Sequence, residues 1–140
     1  MRIVVSACLL GENCKYNGGN NRNERVLRYV AAHEVIPVCP EMLGGLPCPR
    51  MPVEWGGERV LTRDGDDCTE AFRLGVQRAV DIIGDRQIDL AILQSRRPPC
   101  GVKQIYDGTF SGVRIDGQGA LAKALKDRGI PLMDAEDVPE

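Results

Sequence analysis

Four short apolar segments constrain the fold of this chain more than any other feature of its sequence. Each is five or six residues long and rich in valine, isoleucine or leucine. Continuous apolar runs of this length are typical of strands covered on both faces. The predicted strands are residues 2–7, 34–38, 88–93 and 130–134.

Amphipathic segments separate these strands. They place apolar side chains at spacings of three and four, which predicts helices packed on one face. Asn23 is a predicted N-cap, Asp67 with Glu70 makes a variant of the capping box, and Gly129 is a predicted C-cap. The predicted helices are residues 23–33, 67–85 and 117–129.

The order of these elements predicts the architecture. Strands that alternate with helices form a mostly parallel sheet with right-handed crossovers and helices on both faces. We therefore predict an α/β fold, a Rossmann-like three-layer sandwich with about four strands in the order 2-1-3-4. The 140 residues are long enough for their own core, so residues 1–140 are expected to form one domain.

A long segment rich in glycine and proline interrupts the alternation at residues 40–66. Connections of that length in small domains are usually functional. Residues 58–65 within it are predicted to form a small hairpin. Further on, the sequence "YDG" at 106–108 is typical of a turn.

Charge and hydropathy narrow the choice of partners and compartment. The formal net charge of -2 argues against general electrostatic binding to nucleic acid or anionic membranes. No apolar run approaches the roughly 18 residues of a membrane span, and the first residues lack the pattern of a signal peptide. We therefore expect a cytoplasmic protein with no membrane partner, in which cysteines serve metal binding or catalysis more often than disulfides.

Three of the six cysteines, Cys8, Cys39 and Cys100, follow the carboxyl ends of predicted strands. In the order 2-1-3-4 these ends are adjacent, at the edge where doubly wound sheets bind ligands. Three thiolates suit a soft metal, either zinc or an iron–sulfur cluster, and leave a coordination position open. The alternative is that these cysteines only pack in the core, as free cysteine often does.

The other cysteines and the single histidine give weaker signals. Cys68 stands at a predicted helix start and is interpreted as a small apolar filler. Cys14 lies in a glycine-rich loop and either joins the site or is a bystander. His33 is interpreted as the end of a helix.

Several residues near these cysteines are candidates for handling a small molecule. Glu41 follows Cys39 by two residues and would serve as a general acid or base if it is partly desolvated, or else is only a helix-start charge. Gly44 and Gly45 would let the backbone approach a ligand closely. The arginines that would hold a carbonyl or an anion, although each alone is also an ordinary surface charge, are Arg50, Arg96 and Arg97.

Three motifs carry a resemblance to a known family. They are "SACLLGENCKYNGG" at 6–19, "VIPVCPEMLGGLPCPRMPVE" at 35–54, and the "CG" at 100–101 followed by "IYDGTFSG". From residue 3 to about residue 133 the chain resembles a small bacterial family typified by a 2-thiouracil desulfidase. The resemblance implies a [4Fe-4S] cluster held by three cysteines, with a fourth iron that binds sulfur removed from a thio-nucleobase. It also implies iron–sulfur assembly machinery as a partner.

The resemblance assigns roles by motif. It implies Cys8, Cys39 and Cys100 as cluster ligands, with Cys48 as the alternative to Cys39, and Glu41 as the group that activates water or protonates the base. The chain departs from the family where "RRPPCG" replaces "SPSCG", so Arg97 and Pro99 replace hydroxyls. Asn17 also replaces a common aspartate. The departure leaves the exact substrate open, with Arg97, Gly44 and Gly45 as candidate contacts.

The chemistry of such a site is consistent with the predicted function. A soft iron prefers the sulfur of a thiocarbonyl to the oxygen of its product, and attack by water releases sulfide without net redox change. The prediction is a [4Fe-4S]-dependent desulfidase, a hydrolase or lyase that acts on a thiolated nucleobase or similar thioamide. The alternative is a zinc- or persulfide-binding sulfur-handling module without desulfidase activity.

Overall fold

A computed structural model describes residues 1–139 of the chain. The strands are β1 (Arg2–Ser6), β2 (Glu34–Val38), β3 (Val53–Gly56), β4 (Arg59–Thr62), β5 (Leu90–Leu93), β6 (Gln104–Tyr106), β7 (Arg114–Asp116) and β8 (Leu132–Asp134). The α-helices are α1 (Glu24–Val30), α2 (Pro40–Leu43), α3 (Thr69–Ile83) and α4 (Ala120–Asp127). Two 3-10 turns cover Ala7–Leu10 and Ala135–Asp137.

The central sheet is parallel and has the strand order β2-β1-β5-β8. Numbered among themselves, these four strands have the predicted order 2-1-3-4; over all strands the order is 2-1-5-8, because two hairpins are inserted. All four residues of β5 are buried, as expected for a continuous apolar strand. β2 lies at the edge of the sheet, where a strand tolerates a proline such as Pro37.

Helices cover both faces of the sheet. Val4 of β1 packs into a core formed with α3 and α4, whereas its neighbours Ile3 and Val5 pack into a second core with α1. This alternation follows from the twofold repeat of a strand, which points successive side chains to opposite faces. The predicted α/β three-layer arrangement is therefore confirmed.

The two antiparallel hairpins lie outside this sheet. The first joins β3 to β4 and begins at Val53, five residues before the predicted hairpin at 58–65. The second joins β6 to β7, and the predicted turn at 106–108 begins its connection. Its strands were not predicted because they have three residues each and none of these is buried, so they lack an apolar pattern.

The helix ends follow local capping chemistry, with differences from the prediction at the start of α3 and at the end of α4, where Arg128 and not Gly129 is the C-cap. The Asn23 side chain accepts a hydrogen bond from the backbone N–H of Val26 at 3.2 Å, which confirms it as the cap of α1. α3 starts at Thr69, so Cys68 and not Asp67 occupies its N-cap position; Asp67 accepts from the Thr69 N–H at 2.9 Å from one residue further out. Within residues 1–139, none of the helices combines the length and apolar character needed to cross a membrane.

Candidate active site

A small pocket, called here the cysteine pocket, opens at the carboxyl edge of the central sheet. Cys8 lies in the 3-10 turn after β1, Cys39 directly after β2, and Cys100 in the loop after β5. The structure therefore brings the three predicted ligands together, as the strand order requires. Four cysteines line the pocket in all: Cys8, Cys14, Cys39 and Cys100.

The Cys14 thiol contacts two of the predicted ligands, Cys8 and Cys39. It lies within hydrogen-bonding reach of the sulfurs of Cys8 and Cys39, and its S–H stabilises their thiolate forms. This contact lowers the pKa of Cys8 to about 6 and that of Cys39 to about 7, although burial opposes both shifts. The pKa of Cys14 itself is raised by the same contacts. Two predicted ligands are thus disposed to be thiolates, the form that binds metal.

Cys100 is placed by a contact with β1. The Ser6 hydroxyl donates a hydrogen bond to the Cys100 sulfur at 3.2 Å and accepts one from the Gln94 backbone N–H at 3.0 Å. Burial raises the pKa of the Cys100 thiol to about 12, and the Ser6 contact offsets only part of that shift. Burial therefore favours the neutral form of this thiol over the thiolate.

Glu41 is buried and paired with two arginines. It stands in the first turn of α2 and is only 3% exposed. Its Oε2 accepts a hydrogen bond from Arg50 Nε at 2.8 Å, and its Oε1 accepts one from Arg97 Nη2 at 3.2 Å. A buried carboxylate is expensive unless it is paired, and the two guanidinium groups supply that pairing. Glu41 is therefore no ordinary solvated helix-start charge.

Arg50 and Arg97 each interact with a second group besides Glu41. Arg50 donates from Nη2 to the backbone carbonyl of Cys14 at 2.9 Å, which ties the Cys14 loop to α2. Burial alone would lower the pKa of Arg97, but Glu41 and the sulfurs of Cys8 and Cys100 raise it, and the net shift is upward. Arg97 therefore keeps its positive charge beside the cysteine pocket, where it favours anionic sulfur.

A larger cavity of about 310 Å³ adjoins the cysteine pocket and is called here the outer cavity. Its volume is at the lower end of the range for small-molecule sites. The outer cavity is lined by residues of β3, of β6 and of the loop after β5. Four residues border both spaces: Lys15, Glu41, Gln94 and Arg97. A ligand in the outer cavity would thus meet Glu41 and Arg97 next to the thiols.

The outer cavity contains polar residues that the sequence did not single out. Glu54 of β3 is buried, and its Oε1 accepts hydrogen bonds from the backbone N–H groups of Gly108 and Phe110. Ser95 is also buried and donates to the carboxylate of Asp134. No periodicity or spacing marks these residues, because their partners are distant in the sequence: the β6–β7 loop for Glu54 and the end of β8 for Ser95.

Gly44 and Gly45 lie away from both spaces. A Cβ atom on Gly44 would stand 2.0 Å from the carbonyl oxygen of Ala71, so Gly44 allows α2 to pack closely on α3. Gly45 has φ +85 and turns the chain at the end of α2. Neither glycine lines the cysteine pocket or the outer cavity. Their role in the structure is to place α2, which carries Glu41.

The remaining cysteines stand outside the cysteine pocket. The Cys48 sulfur faces the backbone carbonyl oxygens of Asn13 at 3.1 Å and Lys15 at 3.2 Å. The structure thus brings Cys39, and not Cys48, to the other thiols. Cys68 is partly buried beside a small apolar cluster around Phe72, where it packs as a filler.

Arg96 borders the outer cavity but is already paired. Its Nη2 donates to Glu136 at 2.5 Å, and it adopts a left-handed backbone conformation with φ 59. Of the three candidate arginines, Arg97 alone lines both spaces.

The donor set of the cysteine pocket fits a thiolate-bound cofactor. Asn21 Nδ2 lies 3.5 Å from the Cys8 sulfur, and hydrogen bonds of this kind to cysteine sulfurs tune iron–sulfur centres. Across residues 1–139, no three His, Cys, Asp or Glu side chains have the geometry of a site for one metal ion. Cys8, Cys39 and Cys100 instead surround a space.

Comparisons with known proteins agree with the motifs. The model of the 2-thiouracil desulfurase family matches residues 3–137. The uncharacterized protein YbbK of Bacillus subtilis (strain 168) is 33% identical over 146 residues, which cover 97% of each chain. The solved structure of the [4Fe-4S]-dependent thiouracil desulfidase TudS is similar with a TM-score of 0.91 and 36% identity, over 99% of this chain and 93% of that one. The chain belongs to the 2-thiouracil desulfurase family.

Proposed function

We propose that this chain is a cytoplasmic [4Fe-4S]-dependent desulfidase that releases sulfur as sulfide from a thiolated nucleobase or similar thioamide. One observation carries the proposal: Glu41 and Arg97 form a shared wall between the cysteine pocket and the outer cavity. A substrate in the outer cavity would therefore meet both a carboxylate and a cofactor bound by the thiols. The similarity to TudS, a [4Fe-4S]-dependent thiouracil desulfidase, supports the same activity.

Cys8, Cys39 and Cys100 are the proposed ligands of the cluster. Three observations support this set: the three sulfurs share one pocket, two of the thiols have a lowered pKa, and Arg97 offers positive charge beside them. When bound, a cluster with three protein ligands supplies an open iron that acts as a Lewis acid and favours sulfur over oxygen. In the cell, loading would depend on iron–sulfur assembly machinery.

The proposed reaction needs no electron transfer. Water attacks the thiolated carbon, a carbon–oxygen bond forms, the carbon–sulfur bond breaks, and sulfur leaves as hydrosulfide with one of the two protons of water. Glu41 is the proposed general base that takes the proton from water. Oε1 accepts a single hydrogen bond, from Arg97, and keeps a second lone pair, so the carboxylate can still accept a proton.

Arg97 is the proposed substrate contact. Its guanidinium borders the outer cavity and also lies 5.6 Å from the ring centroid of Tyr16. A planar guanidinium in this position offers hydrogen bonds to a ring oxygen or to negative charge that develops during the attack. We assign this contact to Arg97 and not to Gly44 or Gly45, since neither glycine lines the cysteine pocket or the outer cavity.

The test is anaerobic reconstitution with iron and sulfide, followed by analysis of iron, zinc and acid-labile sulfide. We expect about four irons per chain, and release of sulfide together with uracil when 2-thiouracil is added. A protein that takes up about one zinc and no iron would instead be the sulfur-handling module. A protein that loads iron but releases sulfide from no thioamide would overturn the enzymatic proposal.

Cysteine variants test the ligand set. Cys8→Ser, Cys39→Ser and Cys100→Ser should each fail to retain iron after desalting. Cys48→Ser and Cys68→Ser are matched controls, since both remove a cysteine outside the cysteine pocket, and both should load as the wild type does. Loss of iron in Cys48→Ser with retention in Cys39→Ser would make Cys48 the middle ligand.

A further inference from the structure

Glu54 is a buried carboxylate on the wall of the outer cavity. It is 9% exposed and lies in β3, directly after Val53, which lines the same cavity. A carboxylate buried to this degree normally has a cationic partner or several hydrogen-bond donors. Among the residues that the structure describes, no lysine, arginine or histidine forms an ion pair with Glu54.

Only one of its two oxygens is engaged by the protein. Oε1 accepts hydrogen bonds from the backbone N–H groups of Gly108 at 3.0 Å and Phe110 at 3.3 Å. Within residues 1–139, Oε2 receives no hydrogen bond from another residue. Glu54 is therefore held from one side by the β6–β7 loop and has an unused acceptor.

The loop that holds Glu54 adopts an unusual conformation to do so. Phe110 has φ 57, a left-handed backbone conformation that residues other than glycine rarely adopt. Gly108 has φ +93, and a Cβ atom there would stand 2.5 Å from the Trp55 carbonyl oxygen. Both residues that donate to Glu54 thus have an unusual backbone conformation. Such local strain is often found at functional sites.

The charges that line the outer cavity limit which hydrogen-bond donors a ligand can bring to Glu54. Three cationic side chains and two carboxylates, Glu41 and Glu54, line the same cavity, so it has no excess of negative charge to attract a cationic ligand. A neutral ring N–H needs no such charge and supplies a donor from which Oε2 can accept. A cyclic thioamide carries this N–H next to the carbon–sulfur bond, on the ring edge that must be presented to Glu41 and Arg97.

We propose that Glu54 binds the substrate by accepting a hydrogen bond from a ring N–H adjacent to the thiocarbonyl, and so selects cyclic thioamides with a free N–H. This inference rests on the proposed function for the identity of the reaction. It adds the residue that orients the ring and a chemical requirement on the substrate. Thioamides alkylated at that nitrogen would be excluded.

The test separates the binding role of Glu54 from its support of the loop. In Glu54→Gln, the amide oxygen can still accept from Gly108 and Phe110, whereas the second position becomes an N–H₂ donor that repels a ring N–H. The matched control is Glu58→Gln, which changes an exposed glutamate in the same hairpin. Binding of uracil, the unreactive product, is measured by calorimetry on the cluster-loaded protein, beside the KM for 2-thiouracil.

We expect Glu54→Gln to weaken uracil binding and to raise the KM by about 10- to 100-fold, the range for a hydrogen bond to a charged group. Glu58→Gln should stay within about twofold of the wild type. The wild type should bind 1-methyluracil or 3-methyluracil more weakly than uracil by a similar factor. Glu54→Gln should no longer discriminate against that analogue.

Equal uracil binding by the wild type and Glu54→Gln would overturn the inference. So would equal binding of uracil and both methylated analogues by the wild type, a measurement that needs no variant to fold. Failure of the proposed function has a different signature, because the wild type would then release no sulfide from 2-thiouracil even where uracil binding depends on Glu54.

Discussion

The hydroxyl of Ser6 donates a hydrogen bond to the sulfur of Cys100 at 3.2 Å, and so joins the end of β1 to the loop after β5. The same hydroxyl accepts from the Gln94 backbone N–H. Ser6 is 2% exposed, so water does not replace either contact readily. The position of Cys100 beside the other thiols therefore depends on a residue that touches no predicted substrate atom.

Replacing this hydroxyl should weaken both the fold and the site. In Ser6→Ala, the half-buried Gln94 N–H loses its acceptor, so we expect the free energy of unfolding of the apoprotein to fall by about 1 to 3 kcal/mol. Urea denaturation measures this change, and the reconstituted variant should lose iron faster to a chelator. Ser111→Ala, at an exposed turn, is the control and should change stability by less than about 0.5 kcal/mol. Equal effects of the two substitutions would contradict a specific role for Ser6.

Glu41→Gln separates cluster binding from turnover. The amide keeps the volume of the side chain but cannot act as a base, so turnover of 2-thiouracil should fall by roughly 100-fold or more while iron content stays normal. Iron analysis and steady-state kinetics on the same preparation measure both. Glu70→Gln removes an exposed carboxylate that pairs with Arg73 on α3, and should behave as the wild type.

Two results would contradict this role of Glu41. Loss of iron together with activity would make Glu41 a ligand or a structural support of the cysteine pocket. Full activity would mean that the carboxylate only compensates the charges of Arg50 and Arg97.

The two glycines after α2 should differ in their sensitivity to substitution. Gly44→Ala places a methyl group against the backbone of α3, which cannot move aside like a side chain, and should lower stability by about 3 kcal/mol. Gly45→Ala has no atom within 4 Å of the new methyl group, so only its left-handed φ opposes it, by about 1 to 2 kcal/mol. Thermal or urea unfolding measures both. A Gly45→Ala variant with normal stability but a raised KM would instead support a substrate contact.

Asp67 should make the stability of α3 depend on pH. Hydrogen bonds from the Thr69 side chain and backbone lower the pKa of Asp67 below its ordinary value of 3.8. Because the folded-state pKa is lowered, this stabilisation is present above about pH 3.8 and is lost as the pH falls through the folded-state value. Asp67→Ala should thus lower the unfolding temperature at neutral pH, and its difference from the wild type should shrink below pH 3.8. Asp64→Ala, an exposed neighbour, is the control, and a pH-independent difference for Asp67→Ala would contradict the assignment.

The sequence by itself determined the central sheet and the convergence of three thiols. Apolar runs mark strands because burial of a short segment on both faces depends on its own side chains. The alternation of strands with helices then restricts the order of the sheet. Once the order is known, Cys8, Cys39 and Cys100 must share an edge, since each follows the carboxyl end of an adjacent strand.

Only the tertiary structure decided which other groups lie beside these three thiols. Glu41 meets Arg97 across 56 positions of the chain, and Glu54 meets Gly108 across 54. Cys14 enters the cysteine pocket, whereas Cys48 does not. Such pairings depend on how loops fold over the finished sheet, and the residue types involved are equally common on solvated surfaces. Local periodicity records which face of an element is buried, but not which distant loop covers it.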